Sequence, residues 1–408
     1  MGLNSRQGGG GDLLSLDLAF ALDKTLTSRK GPTPTFTRSS TGTFVGSNGL
    51  IQSAAINVPR FDHDPATGAS KGLLIEETRT NLKTHSENFS DASWGYSGAS
   101  PSTVSGSPPS GGATITKITE DTSTGGHGLA FSLSSTGTLT MSVFAKADGR
   151  QWLRLQGANI DTWFDIVNGV TGTVGVGHVA TITNYGNGWW RCSVTFTTAA
   201  SSSPLIRLAP SDGVSVYTGD GTSGLYLWGA QVEAGAFPTS YIPTTIGTAA
   251  RSADVCSIIG DAFASFYNQS EGTLFARTQK TSSNTNAFIT VANNGTFDNS
   301  IDVRYQSITS LQSIINFGAS PQSSFTQAIS SGTDTSQAIA YKANDAAYCA
   351  IGLTPVLDAS VSVPTTNRLG IGQSLVTGTP LCLNGHIARI QYFRKRLSNA
   401  KLQTLTTP

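Results

Sequence analysis

Charge is what this 408-residue chain has least of. Asp, Glu, Lys and Arg make up 12% of it, and 25 acids against 26 bases leave a net charge of +1. A balance so near zero offers no basic face for DNA or RNA, so nucleic acid is not an expected partner. It also argues against a disordered tail, which carries high net charge. Long apolar runs are missing too. None approaches the roughly 20 residues of a membrane-spanning helix, so membrane insertion is not expected. The opening MGLNSRQGGGGD lacks the charged n-region and apolar core of a secretory signal. MGLNSR matches the myristoylation pattern, but no second anchor accompanies it, and the match is read as chance. Only four cysteines occur, Cys192, Cys256, Cys349 and Cys382, and none are near neighbours. That spacing excludes a zinc or redox motif and a disulfide scaffold, and it fits synthesis in a reducing compartment.

What is abundant is Gly (45 residues), with Ser and Thr. Such a composition suits an all-β protein with many turns. In LLSLDLAFALDKTL, Leu14, Leu16, Leu18, Phe20 and Leu22 alternate, which predicts a half-buried strand. Asn48-Gly49 between TFV and LIQ predicts a hairpin. The glycines before Leu13 would give this leading strand slack. From about residue 88 the texture changes to short strands with turns between them: TLTMSVFAKA, WLRLQG, WFDIV, WWRCSVTF, LIRLA and GLYLWGAQVEAG. A sandwich or jelly roll follows. A second block of the same texture begins near 255 and ends in RLSNAKLQTL, a short helix with Ser398 as N-cap. The expected architecture is an N-terminal extended arm over 1–87 and two antiparallel β-sandwich domains, over 88–250 and 251–408. The arm is too short and broken for a core of its own, so its strand must add to a sheet edge. That edge belongs to its own sandwich, a sister chain or another protein.

Residues 59–90 concentrate charge in a chain that has little. Asp62, His63 and Asp64 are adjacent, so on a strand they cannot converge on one ion. Asp64-Pro65-Ala66-Thr67-Gly68 is a good turn. Arg60 and Arg79 are candidates to hold acidic side chains by paired hydrogen bonds. We read Arg60, Asp62, Asp64, Glu76, Glu77 and Arg79 as a structural clamp, with no metal and no cofactor. Hydrolysis of a sugar bond needs two carboxylates across it. Asp161 and Asp165 in DTWFD share one strand face, and Glu76-Glu77 point opposite ways if extended. P-loop and H-E-x-x-H motifs are absent. The expectation is binding, with no enzyme activity. Aromatic side chains that stack on sugar are the candidates for it: Trp163, Tyr185, Trp189 and Trp228. Trp190 should share the core face with Cys192, Val194 and Phe196, which leaves Trp189 on the outer or groove face with Arg191. Either a ligand or a covering surface would meet it there. For Trp228 the alternation leaves the core face open.

PRFDHDPATG, then KGLLIEETRTNL and SENFSDASW, resembles a segment common in tailed-phage virion proteins, placed just before a lectin-like jelly roll. YGNGWWRCSVTF and GLYLWGAQVEAGAFPTSYIPT resemble that family's sandwich, which is similar to carbohydrate-binding modules. LNGHIARIQYFRKRLSNAKLQTL resembles the final strand and closing helix of laminin-G-like or concanavalin-like sandwiches. The resemblance implies a virion structural protein of tail-fibre or spike type, made in the host cytoplasm and placed on the particle. It implies a homotrimer, other virion proteins as partners, and host-surface glycan as a ligand. Two other readings stay open: a capsid decoration protein or head fibre without glycan binding, and a polysaccharide depolymerase.

Overall fold

A computed structural model describes residues 13–280, 287–329, 334–376 and 381–407. The glycine run before Leu13 lies outside the described residues. Over the described residues the fold is all-β, with two antiparallel sandwiches and three short helices.

The first sandwich packs two six-stranded sheets. One runs, in spatial order, Val179–Asn184, Trp190–Thr198, Gly137–Asp148, Gly224–Ala234, Thr114–Glu120, Ala99–Ser105. The other runs Val170–Thr171, Ile160–Asp165, Trp152–Gly157, Leu205–Ala209, Gly128–Ala130, Gly95–Ser97. Alternation places Met141, Val143, Leu153, Leu155, Val194 and Phe196 between them. Strand Gly224–Ala234 breaks the alternation once. Its pairing with Gly137–Asp148 shifts register between Ser142 and Phe144, and Gly229 opposite takes φ 61. That bulge turns Ala230 and Val232 inward beside Leu225 and Leu227, and leaves Trp228 on the other face. Strict alternation would put Trp228 and Ala230 on one face, which the extra residue prevents.

The second sandwich is where the N-terminal residues go. Strand Gly385–Phe393 pairs along one edge with Glu271–Lys280. Leu14–Leu18 and Ser70–Ile75 pair with successive parts of the same strand, at Ile390 to Phe393 and Gly385 to Ile387. Phe61–His63 extends that eight-stranded sheet, and Thr35–Thr37 caps the facing seven-stranded sheet against Val255–Ile259. Leu16, Leu18, Phe20, Leu73 and Ile75 lie in the second core with Leu274, Ile387 and Ile390. The strand prediction holds for Leu14 to Leu18. The chain then turns into the helix Phe20–Asp23 and exposes Leu22. The division expected at 87 is corrected. Residues 14–75 supply four strands of the second sandwich, and the first sandwich is carried as an insert between them and the rest of it. The physical reason is the open edge of Gly385–Phe393, which would leave apolar side chains and backbone groups bare.

The chain passes into and out of the insert side by side. Arg79–Asn81 pairs antiparallel with Ala249–Arg251. The expected hairpin forms between Gly42–Val45 and Ile51–Ala54, with Gly49 at φ 76 in its turn. The closing helix is Asn399–Thr406, and Ser398 Oγ accepts from Lys401 N at 3.3 Å.

Burial of five apolar side chains from residues 14–75 contributes about 10 kcal/mol at ~2 kcal/mol each, as large as the net stability of an ordinary domain. A chain that begins at Glu87 should therefore lose the cooperative transition of the intact chain, read by denaturant titration. A truncated chain with an unchanged transition would contradict this pairing.

Candidate functional site

Three arginines with essentially no exposed surface, Arg38, Arg60 and Arg251, meet at the junction of the two sandwiches. Arg60 donates to Glu76 Oε2 at 2.8 Å, to Thr43 O at 2.9 Å, to Ser240 Oγ at 2.8 Å, and to Asp254. Arg38 reaches the other oxygen of Asp254 at 3.0 Å. Arg251 lies 3.1 Å from Glu76 Oε2 and donates to Glu77 O at 2.6 Å. Glu76 also accepts from Ser240 N and Ser240 Oγ, both at 2.7 Å. Burial opposes the charge on Glu76. The Arg251 and Arg60 guanidiniums and the Ser240 bonds overcome it and hold the carboxyl well below its usual range. Beside this knot Arg79 pairs with Glu77 at 2.6 Å and stacks on Phe237 at 4.6 Å.

The structure places the six clamp residues as follows. Arg60 and Glu76 sit at the centre, and Glu77 and Arg79 flank them. Asp62 stands a few residues away, taking Val45 N at 2.5 Å and His386 Nε2 at 2.7 Å. Asp64 is apart from the network. It closes its own turn, accepting from Ala66 N at 3.1 Å and Thr67 N at 3.0 Å. Sequence reasoning missed Arg38, Arg251 and Asp254. The signal was present in Arg251-Ser-Ala-Asp254, a charged pair in the linker after the first sandwich. Nothing local tied it to Glu76, 178 positions from Asp254.

Next to the clamp lies a cleft of about 500 Å³ between the sandwiches. Strand Val179–Asn184 gives Thr181 and Thr183, the hairpin gives Phe44 and Val45, and the second sandwich gives Gln279, Lys280 and Ile308. Asp62, Lys71, Glu76, Tyr185, Arg191 and His386 also line it. Burial pushes the Lys280 ammonium down to about 8.

Of the four aromatic candidates, Tyr185 lines this cleft. The other three are buried, and their expected contact with ligand is corrected. Trp163 is covered by the 211–217 loop, and its indole donates to Val214 O at 3.2 Å. Trp189 does turn away from Trp190, but the hairpin residues Val45 and Ile51 cluster with it, and its indole donates to Ser107 O at 2.9 Å. Trp228 packs tilted against Tyr241 at 4.6 Å and edge-on against Phe144 at 5.1 Å in the same cluster. Sequence alternation gives the face of an aromatic residue and not what covers that face. Among the described residues no helix is long and apolar enough to cross a membrane, and no three His, Cys, Asp or Glu are grouped to hold a metal ion.

No family model and no curated protein matches the chain. Solved structures do. The CBM40 of a Ruminococcus gnavus IT-sialidase, bound to α2,3-sialyllactose, is similar with 17% identity and a TM-score of 0.31, over 35% of this chain and 84% of its own. A Trypanosoma rangeli sialidase in complex with 2,3-difluorosialic acid is similar with 14% identity and a TM-score of 0.29, over 76% of this chain and 62% of its own. The native heptameric SAP-like pentraxin of Limulus polyphemus is similar with 14% identity and a TM-score of 0.26, over 33% and 68%. At these values no ligand and no residue role passes from those proteins to this chain. The expectation of a chain without enzyme activity is corrected, since sialidase structures, one of them with trans-sialidase activity, stand among those it is similar to. The spacing argument behind that expectation was also incomplete. It treated only neighbouring carboxylates, whereas folding brings Asp62 and Glu76 to one cleft.

Glu76→Gln leaves Arg251 without a countercharge and Arg60 with Asp254 alone, and should cost about 3–5 kcal/mol in denaturant titration. The carboxyl of Glu76 is depressed in the folded state, so its contribution is complete above its ordinary value of 4.5 and drains as pH falls through the lower folded value. The gap between wild type and Glu76→Gln should thus narrow on acidification. A variant as stable as wild type at pH 7, or a gap that widens in acid, would contradict the assignment.

Proposed function

We propose that this chain is a structural protein of a tailed-phage virion, of fibre or spike type, whose lectin-like sandwiches bind host-surface glycan in the cleft between them. The virion part rests on the resemblance carried by PRFDHDPATG, KGLLIEETRTNL and SENFSDASW. The observation that carries the glycan part is the cleft. It has the size of a small-ligand site, lies at a domain junction, and combines Tyr185 and Phe44 with hydroxyls of Thr181, Thr183 and Ser193. Sugars need that pairing: apolar walls for the CH faces of the ring, and hydroxyls and amides for its OH groups. A homotrimer set among other virion proteins completes the reading, and would give each particle several copies of a weak site.

The purified chain should retain host-surface glycans on an array. Thr183→Trp, which puts an indole into the cleft, should reduce that binding at least about tenfold, the loss expected when a well-packed contact is blocked. An array without a bound glycan, or equal binding by the variant, would sink the glycan part. Antibody to the chain that fails to decorate phage particles would sink the virion part.

A further inference from the structure

Among the described residues six arginines are more than nine-tenths buried: Arg38, Arg60, Arg79, Arg154, Arg191 and Arg251. Five meet a carboxylate within 4 Å, at Asp254, Glu76, Glu77, Asp161 and again Glu76. Arg191 meets none among the described residues. Its guanidinium donates to Thr239 O at 2.8 Å and to Ser142 Oγ at 3.0 Å, both uncharged. Phe144 lies under it at 5.3 Å, and its Nε–H is buried without an acceptor. A guanidinium does not shed its proton in a protein. A buried charge without a countercharge costs several kcal/mol, so it is kept where something else supplies the anion.

Arg191 lines the cleft. The two carboxylates there are already engaged, Asp62 with His386 and Glu76 with Arg60 and Arg251. Lys71 stands at the same wall, 3.4 Å from the partly exposed Asp64. The charge left facing the cleft is positive. We propose that the cleft takes an acidic saccharide, and that Arg191 holds the carboxylate of a uronate unit through its planar fork. This rests on the glycan reading of the same cleft and adds the class of sugar.

The test compares ligands of one shape and two charges. An oligogalacturonate and its fully methyl-esterified form are titrated calorimetrically into the intact chain, beside a neutral oligosaccharide of equal length. The acid should bind, the ester should bind at least about tenfold more weakly, as loss of a charge-assisted bond requires, and added NaCl should weaken the acid alone. Arg191→Gln should bring the acid down to the level of the ester, with Thr183→Trp removing both. If Arg191→Gln does not fold, as circular dichroism will show, the acid and ester pair on wild type still decides. Equal binding of acid and ester overturns the inference and leaves the glycan reading standing. Acid binding that survives both variants also overturns it, because the site is then elsewhere. No binding of acid, ester or neutral sugar overturns the inference, and the array then decides the glycan reading by itself.

Discussion

A guanidinium sealed from water needs charged and polar acceptors, and Arg60 finds them only when four separate segments meet. Glu76 follows it on the next stretch of chain, Asp254 comes after the first sandwich, Ser240 comes from that sandwich's last segment, and Thr43 comes from the hairpin. Removal of either carboxylate leaves a buried arginine without a countercharge, Arg251 for Glu76 and Arg38 for Asp254, at a cost of several kcal/mol. The network is thus a condition on the topology. The chain has to pass into and out of the first sandwich at one place, which is where Arg79–Asn81 and Ala249–Arg251 pair.

The hairpin follows from the same constraint. Gly42–Val45 and Ile51–Ala54 are tied to Arg60 through Thr43 O and to Asp62 through Val45 N. Held there, the hairpin covers the outer face of the first sandwich, and Trp189, Trp228, Tyr241 and Phe144 become an apolar joint between the two halves. The cleft is the part of that junction which the hairpin leaves open. Its polar lining is therefore shared: Asp62 and Glu76 belong to the clamp, Arg191 and Tyr185 to the first sandwich, and His386 and Gln279 to the second. A site assembled this way exists only while the two sandwiches keep their relative position.

Much of the local structure was legible in the sequence. The leading strand from Leu14, the turn at Asp64, the Asn48-Gly49 hairpin and the Ser398 cap each rest on residues a few positions apart, where propensity and periodicity act directly. The placement of Trp190 on the core face and Trp189 opposite was also a local matter. What the sequence did not disclose is pairing at long range. Leu14 meets Phe393, and Asp17 meets Arg389 by two bonds of 2.9 and 2.7 Å. No pattern in either strand names the other. Trp228 was obscured by a bulge, Trp163 by a loop that folds back over it, and the carboxylates of the cleft by their separation along the chain.

The central claim is that the Arg60 network makes one folding unit of two sandwiches. Differential scanning calorimetry of the intact chain tests it directly. The account predicts a single reversible transition whose calorimetric and van't Hoff enthalpies agree. Two resolved transitions, one for each sandwich, would show that the junction carries little coupling and would contradict the claim.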